Sequence, residues 1–477
     1  MAAARLIAPW FGASTIVWAN TIATVLVALS IGYWLGGRLA DRDPTLAGLS
    51  RLVLAAALLL MAVPFVAGPF LRVSVDALDR VEAGAAIGSL LAVLVLIAAP
   101  VLVLGCVAPW ALRLAITGVE EAGTISGRLS AIATVGSLAG TFTSALLLIP
   151  FIGTRRTFLV YAIALAVVAA PGLARRRWAV AVLLLGAVLA LVPAGTVKAG
   201  GGRVIWEADT EYQYARVVED AAGARRLELN EGQAVHSYLP ADRGVLTGDY
   251  WDEALVLPAA SLGRAPRSIA ILGGAAGTVS RAYGRLLPAT RVDEVEIDGE
   301  LTDVGRERFD LSGPRLVTHT ADARPWLRRT SQRFDAIFVD AYRQPYIPFY
   351  LATREFFALT RERLEPGGVV IVNVGHPEGS DQLERALTAT MREEFLHVAR
   401  DPAQPTNTQL VATTGEAPSA ERLRRAQLPA DLRPVAGRTA DRLAPPLTGG
   451  PVWTDDLAPV EWLVDSSILE VAARGER

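Results

Sequence analysis

A glycine-rich turn and a set of acids at strand ends are the residues of this chain whose types and spacing point to chemistry. The run Ile269-Ala-Ile-Leu-Gly-Gly-Ala-Ala-Gly-Thr278 breaks from apolar strand residues into a turn, and Val295-Glu-Ile-Asp298 closes the next strand. Gly273, Gly274 and Gly277 let backbone pass close to a ligand. Glu296, 23 residues after Gly273, stands where an acid accepts hydrogen bonds from ribose hydroxyls. Asp298 shares the face of Glu296 if the strand continues. Asp322 ends a third strand and is a candidate partner for the exocyclic amine of an adenine. Asp340 ends a fourth, Phe334-Asp-Ala-Ile-Phe-Val-Asp340. Acids at consecutive ends of parallel strands face one crevice. The competing reading of each is a helix N-cap; Pro345 and Pro348 delay the helix after Asp340 and weaken that reading there. The turn lacks a strict G-x-G-x-x-G, which argues against a nicotinamide cofactor.

The elements that position these residues follow from periodicity. Strands are predicted at 268–273, 292–297, 315–320, 334–340, 368–374 and 408–413, with helical patterns at 299–309, 352–364 and 380–395. Such alternation implies a parallel sheet covered on both faces. Ahead of it, Tyr212–Glu219 and Arg226–Asn230 alternate around Ala222-Gly223, the pattern of a β-hairpin. The first 200 residues are different. They carry six apolar runs (14–37, 50–71, 83–106, 129–150, 156–173 and 178–197), near the ~20 residues a bilayer span needs. Pro100 and Pro109 are expected to kink the third. The expected organisation is a transmembrane helical domain at 1–200 and a β-rich module at 203–262. A Rossmann-like nucleoside-binding domain at 263–415 follows, then a linker and tail at 416–477. Arg5–Gly12 reads as an interhelical linker, so a preceding helix is expected to be missing.

Composition narrows the function classes. Hydrophobic residues make up 52% of the 477 residues and mean hydropathy is +0.35, which fits a lipid-embedded half. A net charge of −2 gives no electrostatic case for nucleic acid. One cysteine, Cys106, and four scattered histidines offer neither a disulfide framework nor metal-ligand spacing, so no metal is expected. The spans hold no central Asp or Glu, against a proton-coupled carrier. Arginine-rich loops at 38–51, 107–128 and 174–177 fall on one side of a six-span bundle. The positive-inside rule then puts the soluble domain outside, whereas a nucleotide-like cofactor is cytosolic and puts it inside. The cytoplasmic side is the expectation, with one span miscounted.

With these motifs in place, the chain resembles the spermidine synthases, aminopropyltransferases of the class I methyltransferase fold, and within them a membrane-fused spermidine synthase-like group. The resemblance rests on the order Tyr212-Gln213, Gly273-Gly274, Glu296-Ile-Asp298, Asp322-Ala323 and Asp340. It extends to Gly32-Tyr-Trp-Leu-Gly-Gly-Arg-Leu-Ala-Asp41, Asp340-Ala-Tyr-Arg-Gln-Pro-Tyr-Ile-Pro348 and Thr454-Asp-Asp-Leu-Ala-Pro459. It implies that S-adenosylmethionine or its decarboxylated form is the co-substrate. Glu296 would hold the ribose, Asp322 and Ala323 the adenine, and Gln213 the nucleoside from the β-module. Asp340 would take the proton of an attacking amine. Tyr250, Tyr342, Arg343 and Tyr346 are the candidate acceptor-binding residues. Partners are then a small amine or other small acceptor and the bilayer, with a homo-oligomer possible.

Three positions depart from the family pattern. Ala276 stands where the turn usually carries an Asp that pairs with the aminopropyl ammonium. Arg343 stands where a second Asp follows the catalytic one, and Trp251 replaces a glutamine. These changes keep the nucleoside side and rewrite the polyamine side. Methyl transfer, with Arg343 receiving a carboxylate, is therefore an alternative. Another is a transporter or sensor with a nucleoside-binding domain, since Gly36–Asp41 faintly resembles a loop of major-facilitator carriers.

Overall fold

A computed structural model describes residues 2–11, 15–79, 85–116, 118–173, 177–191, 201–230, 234–342 and 346–473. The chain divides into two compact units, Met1–Ala199 with Glu207–Tyr214, and Gly200–Trp206 with Ala215–Arg477.

The first unit is helical: α1 (Ala2–Phe11), α2 (Thr15–Arg42), α3 (Leu46–Asp79), α4 (Ala85–Val93), α5 (Ala99–Gly105), α6 (Val107–Ala115), α7 (Ala122–Phe142), α8 (Ile149–Ala169) and α9 (Arg177–Leu191). Among the described residues, five stretches are long and apolar enough to cross a membrane: Val17–Arg42, Leu46–Ser74, Gly88–Ala115, Val119–Leu148 and Phe151–Gly172. The sixth expected span, 178–197, holds α9 over Arg177–Leu191, and its residues 192–197 lie outside the described residues. Two expectations are corrected. Arg5–Phe11 lies within helix α1 and is not a linker. Gly36–Asp41 lies inside α2, so the carrier-like loop is helix. Its glycines serve packing: a Cβ on Gly36 would lie 2.5 Å from the Cys106 Cα, and one on Gly32 would overlap the Leu102 carbonyl oxygen. Such backbone approach is how helices associate in lipid. The third stretch carries a π-helical segment at Leu94–Ala98 and breaks at Cys106.

The second unit holds most of a small sheet in the order β1 (Arg203–Asp209), β2 (Tyr214–Glu219), β3 (Arg225–Leu229), β4 (Val235–Leu239). β2, β3 and β4 pair antiparallel, with Gly223 at φ +93° in the expected hairpin turn. After α10 (Ala259–Leu262), the main sheet uses β5 (Ser268–Leu272), β6 (Arg291–Glu296), β7 (Leu316–Thr320), β8 (Phe334–Val339), β9 (Leu364–Gly375), β10 (His397–Gln404) and β11 (Asn407–Thr413). Its order is β10-β11-β9-β8-β5-β6-β7. The pairs β5–β6, β6–β7, β5–β8 and β8–β9 are parallel, and β11 runs antiparallel to β9 and β10. This is the class I methyltransferase arrangement. The chain reverses its winding between β5 and β8, and ligands of such sheets bind at that switch point.

Helices α11 (Thr278–Leu286), α12 (Gly299–Arg308), α13 (Ala323–Arg329), α14 (Arg354–Glu362) and α15 (Gln382–Arg392) connect these strands. One core, with Leu272, Phe334, Phe356 and Trp453, lies on one face of the sheet; a second, with Ile271, Tyr283 and Phe338, lies on the other. Residues 416–450, expected as a linker, instead form α16 (Ala420–Arg425) and α17 (Arg433–Arg442). Leu423, Leu428, Leu432 and Val435 are buried in the second core. The Thr454-Asp-Asp stretch is an anchor. Asp455 takes a two-pronged pair from Arg324 at 2.7 and 2.6 Å and a bond from the Thr353 hydroxyl, tying α13 to α14 ahead of α18 (Val460–Ala473).

Candidate active site

The glycine turn leaves β5 at the switch point. Gly273 donates its N–H to the Val295 carbonyl, and Asp340 donates its own to the Leu272 carbonyl. Gly273 holds φ +94°, and a Cβ there would lie 2.5 Å from the Ala341 Cα. Left-handed backbone and overlap act together, so Gly273→Ala is expected to cost about 2–5 kcal/mol. Thermal unfolding of the detergent-solubilised chain checks this. Glu296 pins the turn from the next strand, its Oε2 accepting from Ala275 N at 2.8 Å and its Oε1 from Asp298 N at 2.9 Å. The small sheet clamps the other side: Ala276 N donates to Ser237 Oγ, and Tyr238 N to Thr278 Oγ1, both at 2.9 Å.

Asp340 stands across the turn. Its Oδ1 accepts from Asn373 Nδ2 at 2.7 Å, and its Oδ2 from the Tyr250 hydroxyl at 3.4 Å. The Asn373 amide is itself fixed, because its oxygen accepts from Asn407 Nδ2 and Gln409 Nε2, both at 3.1 Å. The Tyr342 hydroxyl donates to the Asn373 carbonyl at 2.9 Å. Burial raises the Asp340 pKa to about 7 against the pull of Asn373, Tyr250 and Trp251. Burial likewise raises Glu296 to about 7 and pushes the Tyr250 and Tyr342 hydroxyls up. A carboxyl poised near neutrality inside a crevice suits proton transfer.

Beneath the turn lies a cavity of about 20 Å³, measured as room for the centre of a water-sized sphere. Asp340, Tyr250, Trp251, Gly274 and Ser280 are among its walls. It holds a group about as large as one water molecule.

The expected site residues are distributed as follows. Gly273, Gly274, Glu296, Asp340 and Tyr250 gather at this crevice. Gly277 starts α11 at φ +82°. Asp298 does not continue the strand: β6 stops at Glu296, and Asp298 caps α12 by accepting from Glu300 N at 3.2 Å. Asp322 caps α13, accepting from Arg324 N at 3.0 Å, while its other oxygen accepts from the Tyr350 hydroxyl at 2.8 Å. Ala323 opens that helix. Tyr346 is packed in the apolar core and is not among the walls of the cavity under the turn. The backbone carbonyl of Gln213 accepts from Thr210 N and Oγ1, both at 2.9 Å, and Gln213 clusters with the helical unit. Arg343 lies outside the described residues. Asn373 went unnoticed in the sequence, although an amide inside Val369-Val-Ile-Val-Asn-Val374 is a visible exception to an apolar strand.

Residues 250–408 match the model of the spermine/spermidine synthase domain. A probable polyamine aminopropyl transferase of Bifidobacterium longum is 32% identical over 290 residues, covering 56% of this chain and 64% of that protein. The polyamine aminopropyltransferase of Mycobacterium tuberculosis is 29% identical over 302 residues, covering 58% and 56%. The chain thus spans somewhat under two thirds of these relatives' length. Among solved structures, a probable spermidine synthase from Corynebacterium glutamicum aligns at a TM-score of 0.42 with 22% identity, covering 55% of this chain and 99% of that one. Residues 250–408, behind the block of apolar helices, are thus similar to the spermine/spermidine synthase domain.

Proposed function

We propose that this domain transfers the aminopropyl group of a decarboxylated S-adenosyl sulfonium to a small amine. The observation that supports it most is Asp340, half-buried at the switch point, oriented by Asn373 and raised to about 7 beside the glycine turn. An amine attacks carbon only when neutral. Asp340 takes one proton from the acceptor's ammonium, and the freed lone pair bonds to the carbon beside the sulfonium. The C–S bond breaks with its electrons going to sulfur, and neutral methylthioadenosine leaves. Glu296 spends one lone pair of each oxygen on the turn, and a carboxylate has about four such sites, so ribose hydroxyls still find acceptors there. Exclusion of water strengthens each of these contacts. The donor is a cytosolic metabolite, so the crevice belongs on the cytosolic side of a membrane held by the apolar helices.

The test is methylthioadenosine release from the decarboxylated donor and a diamine, followed chromatographically. Release no faster than the enzyme-free blank overturns the proposal. If Asp340 is the base, kcat/KM rises about tenfold per pH unit below about 7 and flattens above it. A profile without an inflection there removes Asp340 from that role. Methyl transfer drew on Arg343, and nothing among the described residues favours it.

A further inference from the structure

A second cavity, of about 470 Å³ against about 20 Å³ under the turn, lies in the first unit. All its walls belong to that unit, which includes Glu207–Tyr214. Protein interiors close-pack and leave few voids larger than a water molecule. A space of this size, within the range of ligand pockets, calls for an occupant. Its depth follows from the helices. Gly172, ending one apolar stretch, lies against Leu46 and Ser50 at the start of another, so the two run antiparallel. Leu71 and Ile152, near their opposite ends, are both walls of the cavity. The cavity is thus at one end of the spans, where hydrocarbon gives way to lipid headgroups.

The walls divide by chemistry. Leu6, Pro64, Ala67, Leu71, Ile152 and Ala190 make the apolar part. The polar part holds three arginines, Arg5, Arg155 and Arg156, against two acids, Glu207 and Asp209. Both acids are already engaged. Asp209 takes Arg5 at 2.7 Å and, on its other oxygen, the Thr154 hydroxyl. Glu207 accepts from the Tyr214 hydroxyl at 2.8 Å. Arg5 also donates to the Thr210 and Glu211 carbonyls. Helix α8 breaks at Gly153, with φ +79°, and Arg155 and Arg156 follow the break. Arg155 is half-buried, its guanidinium 4.5 Å from the Phe65 ring centre. Arg156 is exposed and has no ion pair or hydrogen bond among the described residues.

From these walls we infer that the cavity binds one anionic phospholipid, its phosphate taken by Arg155 and Arg156 and an acyl chain laid along the apolar part. Three cations against two acids leave one positive charge over, which a net negative headgroup neutralises. The planar fork of arginine matches phosphate oxygens. A headgroup amine, by contrast, meets only carboxylates that already have partners. Free phosphate would leave the apolar walls uncovered. The site is separate from the crevice of the second unit and does not depend on the reaction proposed there.

Gly68 of α3 is a wall where an added Cβ meets nothing within 4 Å, so Gly68→Leu narrows the cavity without a clash at that atom. The experiment is native mass spectrometry of the full chain in detergent, titrated with phosphatidylglycerol, phosphatidylcholine or inorganic phosphate. Wild type is expected to hold one phosphatidylglycerol about tenfold or more tighter than phosphatidylcholine, the scale of a charge-assisted hydrogen bond. Inorganic phosphate is expected not to bind at the same concentrations. Arg156→Gln should lose most of the preference and keep phosphatidylcholine within about twofold, while Gly68→Leu should weaken both lipids about tenfold. An unchanged unfolding midpoint in detergent reports that each variant is folded. Equal affinity for the two lipids in wild type, or wild-type phosphatidylglycerol affinity in folded Gly68→Leu, overturns the site. An Arg156→Gln chain that keeps the full preference overturns it whatever Gly68→Leu does. Phosphate binding as tight as the lipid overturns it too, leaving an anion site with no part for the apolar walls.

Discussion

Asp340→Asn is expected to lower methylthioadenosine release by about 10²–10⁴-fold, the range a positioned general base contributes. Donor affinity should change by less than about threefold. The substitution is nearly isosteric, and an amide oxygen still accepts from Asn373 Nδ2, which now holds the carboxylate at 2.7 Å. What disappears is the capacity to take a proton. The limb of the pH profile near 7 should vanish with it, since burial of this carboxyl places the limb there. Single-turnover rates and equilibrium binding on the same preparation separate the two quantities. If affinity falls as far as the rate does, Asp340 is holding the crevice together and is not the base.

Glu296→Ala is the second large effect. Losing hydrogen bonds to a charged acceptor costs about 1–3 kcal/mol, so nucleoside affinity should fall by roughly 5- to 150-fold. Part of that loss is indirect, because Ala275 N and Asp298 N would lose the acceptors that hold the turn. A donor lacking the ribose 2′-hydroxyl separates the parts. Wild type should bind this analogue more weakly than the parent nucleoside, and Glu296→Ala should barely distinguish them. The resulting cycle isolates the direct contact. An equal penalty for the analogue in both proteins would mean that Glu296 only shapes the turn.

Much of this site was legible because strand ends and glycine turns leave local marks. The Gly273-Gly274 turn, Glu296 and Asp340 were found by residue type and spacing, and their strands by period. What escaped depends on long-range partners. Asn373 works only because Asn407 and Gln409 on the antiparallel strand β11 fix its amide, a pairing no local pattern announces. Asp298 looked like a second ribose acid until the strand stopped two residues earlier and left it as a cap. β10 was missed because His397-Val-Ala-Arg-Asp-Pro-Ala-Gln404 carries charges and a proline, which an edge strand tolerates. The 416–450 segment has few apolar residues among arginine, alanine and proline, and only the waiting core makes α16 and α17 of them.

The seam between α2 and α5 gives the first unit a different logic from the second. Inside a bilayer, burying apolar surface against another helix gains nothing over burying it against lipid, so cohesion comes from contact distance. Gly32 and Gly36 bring the α2 backbone against Leu102 and Cys106, with the Arg38 guanidinium stacked 3.8 Å from the Trp34 ring centre one turn away. The stretch Gly32–Asp41 is thus a place defined by missing side chains. What it encodes is adhesion between helices, and the chemistry of the protein is written elsewhere.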